Sequence, residues 1–187
     1  MSDEPGLRAD AQKNRELILS AAEELFLEKG ATVPLEEVAK RAGVGIGTLY
    51  RRFPTRESLL AATSNQRFMA LAATSRARDP DLGPNDALRA FLEELAANTS
   101  VYRSLAASIG TILQCGTPGC NAITAEGRRL LQRGQHEGAI RRDVTFDDII
   151  YVITAIAIAI EHDRSSTERI GHLVDLFLNG VGVHGVN

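Results

Sequence analysis

Val44-Gly45-Ile46-Gly47-Thr48-Leu49-Tyr50-Arg51-Arg52-Phe53-Pro54-Thr55-Arg56-Glu57 is the stretch whose reading decides the fold. Gly43 ahead of it lets the chain leave a preceding helix sharply, and Pro54 breaks whatever helix it contains. Between these breaks, Val44, Leu49 and Phe53 fall on one side at helical spacing and are expected to pack inward. Ile46, Gly47, Thr48, Tyr50, Arg51 and Arg52 are left facing solvent. Upstream, Pro34 suits the first turn of a short helix whose Leu35, Val38, Ala39 and Ala42 point inward. Further upstream, Ile18, Leu19, Ala22, Leu25 and Phe26 mark one face of a longer helix that begins at about Ala11 and stops at Lys29-Gly30. Two short helices joined by a tight turn behind a longer support form a helix-turn-helix, which places its second short helix in a DNA major groove.

Working outward, Thr55 is placed to cap a long helix running through Leu59, Leu60 and Phe68 to about Arg78. Asp79-Pro80-Asp81-Leu82-Gly83-Pro84 reads as a linker. Helices are then expected around Leu88–Ala96, from Tyr102 to Leu113, from about Ala122 to His136, and from Asp147 to His162 behind a Thr145/Asp148 cap. A capping box at Ser165 and Glu168 opens a last helix to about Val181. Residues Met1 to Asp10 are polar and expected to fray. No stretch alternates with strand period. The expected fold class is all-α with about nine helices. A helix-turn-helix domain over residues 11–66 precedes a ligand-sensing and dimerisation bundle over 67–187.

The formal charge of −3 is the wrong sign for nucleic-acid binding, but the relevant quantity is local. Lys40, Arg41, Arg51, Arg52 and Arg56 lie in one stretch that contains no acidic residue. Side chains at the start of the reading helix reach base edges, while tyrosine, threonine and arginine also contact phosphates.

The quoted segment resembles the signature of TetR-family regulators. The flanks resemble it too: Ile18 to Gly30 is similar to the family's first helix, and Leu35 to Gly43 to its second. The resemblance implies that Ile46, Gly47, Thr48 and Arg52 face bases, and that Tyr50 and Arg56 contact phosphates. Gly45 stands where serine is frequent, forgoing a capping hydroxyl, and Ile46 replaces a polar or basic residue, so its base contact would be apolar. Arginine at 52, where histidine is also frequent, favours guanine. Gly138 to Val144 is similar to a turn before the penultimate helix in one branch of the family. The resemblance further implies a homodimer joined by the last two helices, and a repressor released by a ligand.

The residues support a dimer independently. The helix from Ile149 to Ile160 is apolar nearly all round, with Val152, Ile153 and Ile156 among its members, and so must be covered on several sides. Ile170, Leu173, Val174, Phe177, Leu178 and Val181 give the last helix a continuous apolar stripe. A dimer would set two reading helices about 34–36 Å apart, matching a palindromic double-stranded operator. Phe91, Leu95, Asn98, Tyr102, Leu113, Leu131 and Ile156 are candidate lining for a small apolar or amphipathic effector, each also fitting plain core. A protein partner, thiol oxidation, or activation rather than repression are the alternatives.

Cys115 and Cys120 lack metal spacing and a neighbouring histidine, and read as reduced thiols. His136, His162, His172 and His184 form no paired metal motif, and no phosphate cradle or nucleophile elbow appears. No enzyme activity, metal or cofactor is expected. No leader segment is apparent, and the apolar run of Ile149–Ile160 falls short of the roughly 20 residues of a membrane span. A cytoplasmic protein is expected.

Overall fold

The computed structural model describes residues 4–161 and 166–182. Among them are nine α-helices: α1 (Glu4–Lys29), α2 (Leu35–Arg41), α3 (Ile46–Arg52), α4 (Arg56–Arg78), α5 (Pro84–Thr99), α6 (Ile109–Leu113), α7 (Pro118–His136), α8 (Phe146–Ile160) and α9 (Ser166–Val181). Single 3-10 turns precede α5 and α6. The only β-type pairing among the described residues is one bridge between Ile140 and Gly182.

Helices α1 to α3 form the head. Ile18, Ala22, Leu25 and Phe26 of α1 are buried in the same core cluster as Val38 and Leu49, as their spacing requires. Gly30 and Gly43 both adopt positive φ, +92° and +67°, which a side chain would disfavour, and so give the two tight reversals between the three helices. Thr55 closes a reciprocal cap with Ser58 at the start of α4, each side chain accepting from the other's backbone N–H.

In the body, α4 packs along α7. Gly119 lies against the backbone of Asn65, and its N–H donates to Asn65 Oδ1 at 2.8 Å. At the far end, the fully buried carboxylate of Glu126 accepts from Ser75, Arg76 and Arg129. Arg129 also reaches Asp79 at 2.8 Å, and Arg133 bonds Asp79 and the Leu82 carbonyl. Burial pushes both carboxyls up, but the arginine hydrogen bonds outweigh it and hold Glu126 and Asp79 below their ordinary range. The stretch expected to be a linker is therefore a pinned corner.

Other boundaries also move. Helix α1 begins at Glu4 rather than Ala11, so most of the segment expected to fray is helical. Helix α7 starts at Pro118, capped by Thr117, four residues before Ala122. The helix expected over Tyr102–Leu113 is broken: only Ile109–Leu113 is α-helical, preceded by a 3-10 turn, and Ser104 sits at φ +64°. The cap of α8 by Thr145 and Asp148 forms as read. Ser165, His162 and His184 lie outside the described residues.

Candidate nucleic-acid interface

Helix α3 divides as its sequence requires. Leu49 is fully buried and Phe53 nearly so, while Val44 packs against the core. Ile46, Gly47, Arg51 and Arg52 are exposed, Tyr50 is 43% exposed, and Thr48 is half-buried. Gly45 precedes α3 in an extended conformation and makes no side-chain cap. Arg51 Nε donates to the Gly47 carbonyl and Nη2 to Thr48 Oγ1, both at 3.3 Å, which lays the guanidinium along its own helix. A hollow of about 520 Å³ separates the start of α1 from α3, lined by Asn14, Thr48, Arg51 and Arg52 with Asp10 at its edge.

The five cations of the basic stretch have different partners. Arg41 bonds Glu24 and Glu28 of α1 at 3.3–3.4 Å, and these bonds to Glu28 above all raise its pKa. Arg56 Nη1 donates to the carbonyls of Ala31 at 2.9 Å and Val33 at 2.5 Å. The turn between α1 and α2 presents bare carbonyl oxygens to Arg56, an internal partner that engages Nη1 alone and leaves the other N–H groups of the guanidinium for the expected phosphate. Lys40, Arg51 and Arg52 are exposed and have no carboxylate partner among the described residues.

The expected dimer residues divide by burial. Ile149, Ile153, Ile156 and Ile160 of α8, and Ile170 and Val174 of α9, are buried inside the single chain. Val152, Leu173, Phe177, Leu178 and Val181 are partly buried against the same core. The exposed apolar stripe lies on the neighbouring face: Tyr151 is 75% exposed, followed by Ala155 and Ile158, with Leu176 of α9 at 57%. A helix apolar all round gives no periodic signal for which side its own domain covers.

Of the effector candidates, Phe91, Leu95, Tyr102, Leu131 and Ile156 are packed core, and Asn98 donates to the Glu94 carbonyl of its own helix. Leu113 alone of the seven lines a cleft of about 340 Å³ between α6, α7 and α8. The thiols are unsuited to easy oxidation. Burial raises the pKa of both, with Cys120 and Glu57 adding to the rise at Cys115, and Cys120 Sγ donates to the Ile112 carbonyl.

Residues 18–63 match the family model described as bacterial regulatory proteins, tetR family. Residues 83–183, more than half of the chain, match that of the C-terminal domain of SbtR-like transcriptional regulators. The chain belongs to the TetR family. Members of that family are DNA-binding transcription factors rather than enzymes. The TetR-family chain is 29% identical to the regulator SCO0520 of Streptomyces coelicolor, with a TM-score of 0.55 over 90% of this chain and 98% of that one. It shares its fold with RolR in complex with resorcinol, at 22% identity and a TM-score of 0.64 over 94% and 91% of the two chains. Thermus thermophilus FadR in complex with lauroyl-CoA gives 23% and 0.64, over 92% of this chain and 97% of that one. The HTH-type transcriptional regulator SAR0097 of Staphylococcus aureus is 40% identical over 63 residues, and that match spans about a third (32%) of either chain. No helix among the described residues is long and apolar enough to cross a membrane.

One feature of this TetR-family fold had no local signal in the sequence. Residues Tyr102 to Ser104 touch three elements at once. Tyr102 packs its ring 5.5 Å from that of Phe26 in α1. The Arg67 guanidinium of α4 stacks 4.6 Å above the same ring and donates to its hydroxyl at 2.9 Å. The Arg103 carbonyl accepts from Ala31 N–H at 2.8 Å, and the Ser104 N–H donates to Glu161 Oε1 at 2.7 Å, at the end of α8.

Proposed function

We propose that this chain is a homodimeric repressor that binds a palindromic double-stranded operator with α3 in the major groove. A small apolar or amphipathic effector releases it. The reading is carried by one observation: α3 is braced from behind by Leu49 and Phe53 while Tyr50, Arg51 and Arg52 stand in solvent. Ile46, Gly47, Thr48 and Arg52 meet base edges, with Tyr50 and Arg51 on the flanking phosphates. A single three-helix head makes few contacts, and pairing through Tyr151, Ala155, Ile158 and Leu176 supplies the second. The bound molecules named for RolR and for Thermus thermophilus FadR support a small-molecule signal. The strap of Tyr102–Ser104 supports transmission, because it contacts the head and the end of α8 together. An effector shifts the equilibrium by no more than its differential affinity for the two states. The protein acts in the cytoplasm, where its operator lies.

The test is binding to the DNA upstream of its own coding region, measured across a salt series. Wild-type affinity should fall steeply with salt, and Arg52→Ala should weaken specific binding by about 1–3 kcal/mol. Salt-independent binding, or an Arg52→Ala variant that discriminates operators as well as wild type, would refute it.

A further inference from the structure

We propose that the cleft between α6, α7 and α8 binds a small aromatic acid carrying a ring hydroxyl or amino group, with Arg128 anchoring the carboxylate. The inference deepens the effector reading above and gives it a site. The cleft, at about 340 Å³, sits near the lower end of the range for small-molecule pockets, which suits a single-ring ligand.

The lining dictates the chemistry. Phe146 lies at the base, seated over Gly127, where even a methyl group would overlap its ring. Phe146 and Ile150, 8% and 7% exposed, and the partly buried Leu113 give the cleft its apolar lining for a ring. The Arg128 guanidinium lies over the Phe146 ring, 5.8 Å from its centre, and has neither a hydrogen bond nor a carboxylate partner among the described residues. A guanidinium held over a ring, with its in-plane N–H groups unoccupied, is suited to a bidentate carboxylate. Asp147 lines the same cleft and does not pair with Arg128. A bare anion would feel its repulsion, whereas a ligand with a donor on the ring turns that charge into an acceptor. Thr124 and Gln114 add to the polar lining, and Tyr151, which also belongs to the proposed dimer face, lines the rim, so the cleft borders that interface.

Calorimetry on the full chain without DNA tests this with benzoate, 4-aminobenzoate, 4-hydroxybenzoate and neutral benzamide. The two substituted acids should bind more tightly than benzoate, and benzamide least. Arg128→Gln should weaken the acids by about tenfold or more, the scale of a lost charge-assisted pair. Arg142→Gln, an exposed cation outside the cleft, should leave them unchanged. Asp147→Asn should reduce the advantage of the substituted acids over benzoate. Absence of binding at millimolar acid, or acid binding that survives Arg128→Gln, overturns the assignment and leaves the DNA-binding reading intact. Arg128-dependent binding that leaves operator affinity unchanged upholds the cleft and overturns effector release.

Discussion

Arg56 Nη1 donates to the carbonyl oxygens of both Ala31 and Val33, fastening the first residue of α4 to the turn before α2. The bond orients the whole head, because α3 reaches α4 through only Phe53, Pro54 and Thr55. Arg56→Ala should cost about 1–2 kcal/mol of stability in urea melts and weaken DNA binding through a misplaced α3. Its salt slope should match wild type. A slope reduced by about 0.9 per phosphate contact would instead make Arg56 a phosphate ligand.

Arg51 makes the opposite prediction. Its guanidinium lies on the surface of α3 and bonds only its own helix, so Arg51→Ala should leave the melting midpoint nearly unchanged. Fluorescence anisotropy across a salt series should show a slope lower by about 0.9 per head, or about 1.8 for a dimer with two.

Burial divides α8 into a face that holds the chain together and a face left open. Tyr151→Asp with Ile158→Asp should give a folded monomer by sedimentation, with operator affinity strongly reduced. Ile153→Asp should unfold the chain, since it places a charge where the side chain is 1% exposed. A double variant that still sediments as a dimer would move the interface elsewhere.

Glu126 links stability to pH. Its carboxyl titrates below the ordinary range in the folded chain, so the stabilisation is complete above the unfolded value and is lost as pH falls through the folded one. Glu126→Gln should lower stability by about 2–3 kcal/mol at pH 7 and flatten the acid limb of the stability curve. An unaltered acid limb in Glu126→Gln would show that other carboxylates govern it.

The sequence made some of these features legible and hid others for identifiable reasons. The inward and outward sides of α3 could be read because Leu49 and Phe53 recur at helical spacing between a glycine turn and a proline stop. The open face of α8 could not, since isoleucine occupies almost every direction around it. Asp79 to Gly83 has the composition of a linker, yet Arg129 and Arg133, about fifty residues away, hold it as a corner. The helix expected from Tyr102 fails at Ser104, whose left-handed backbone is accompanied by a bond to Glu161 that no local pattern encodes. Arg128 carries no signal in the sequence because an exposed arginine on an amphipathic helix is ordinary, and only the meeting of α6, α7 and α8 gives it a cleft.

The carboxylate cluster at the end of α4 has a mechanical consequence. Helix α4 is fastened to α7 at Asn65 as well as at Ser75, Arg76 and Asp79, so the arm free to tilt is its first nine residues, Arg56 to Ser64, about 14 Å long. A tilt of about 5° at Asn65 would carry Thr55 and the head about 1 Å sideways, in each copy of a pair. In a pair the two displacements add in the separation of the reading helices, a change that a rigid duplex would not follow.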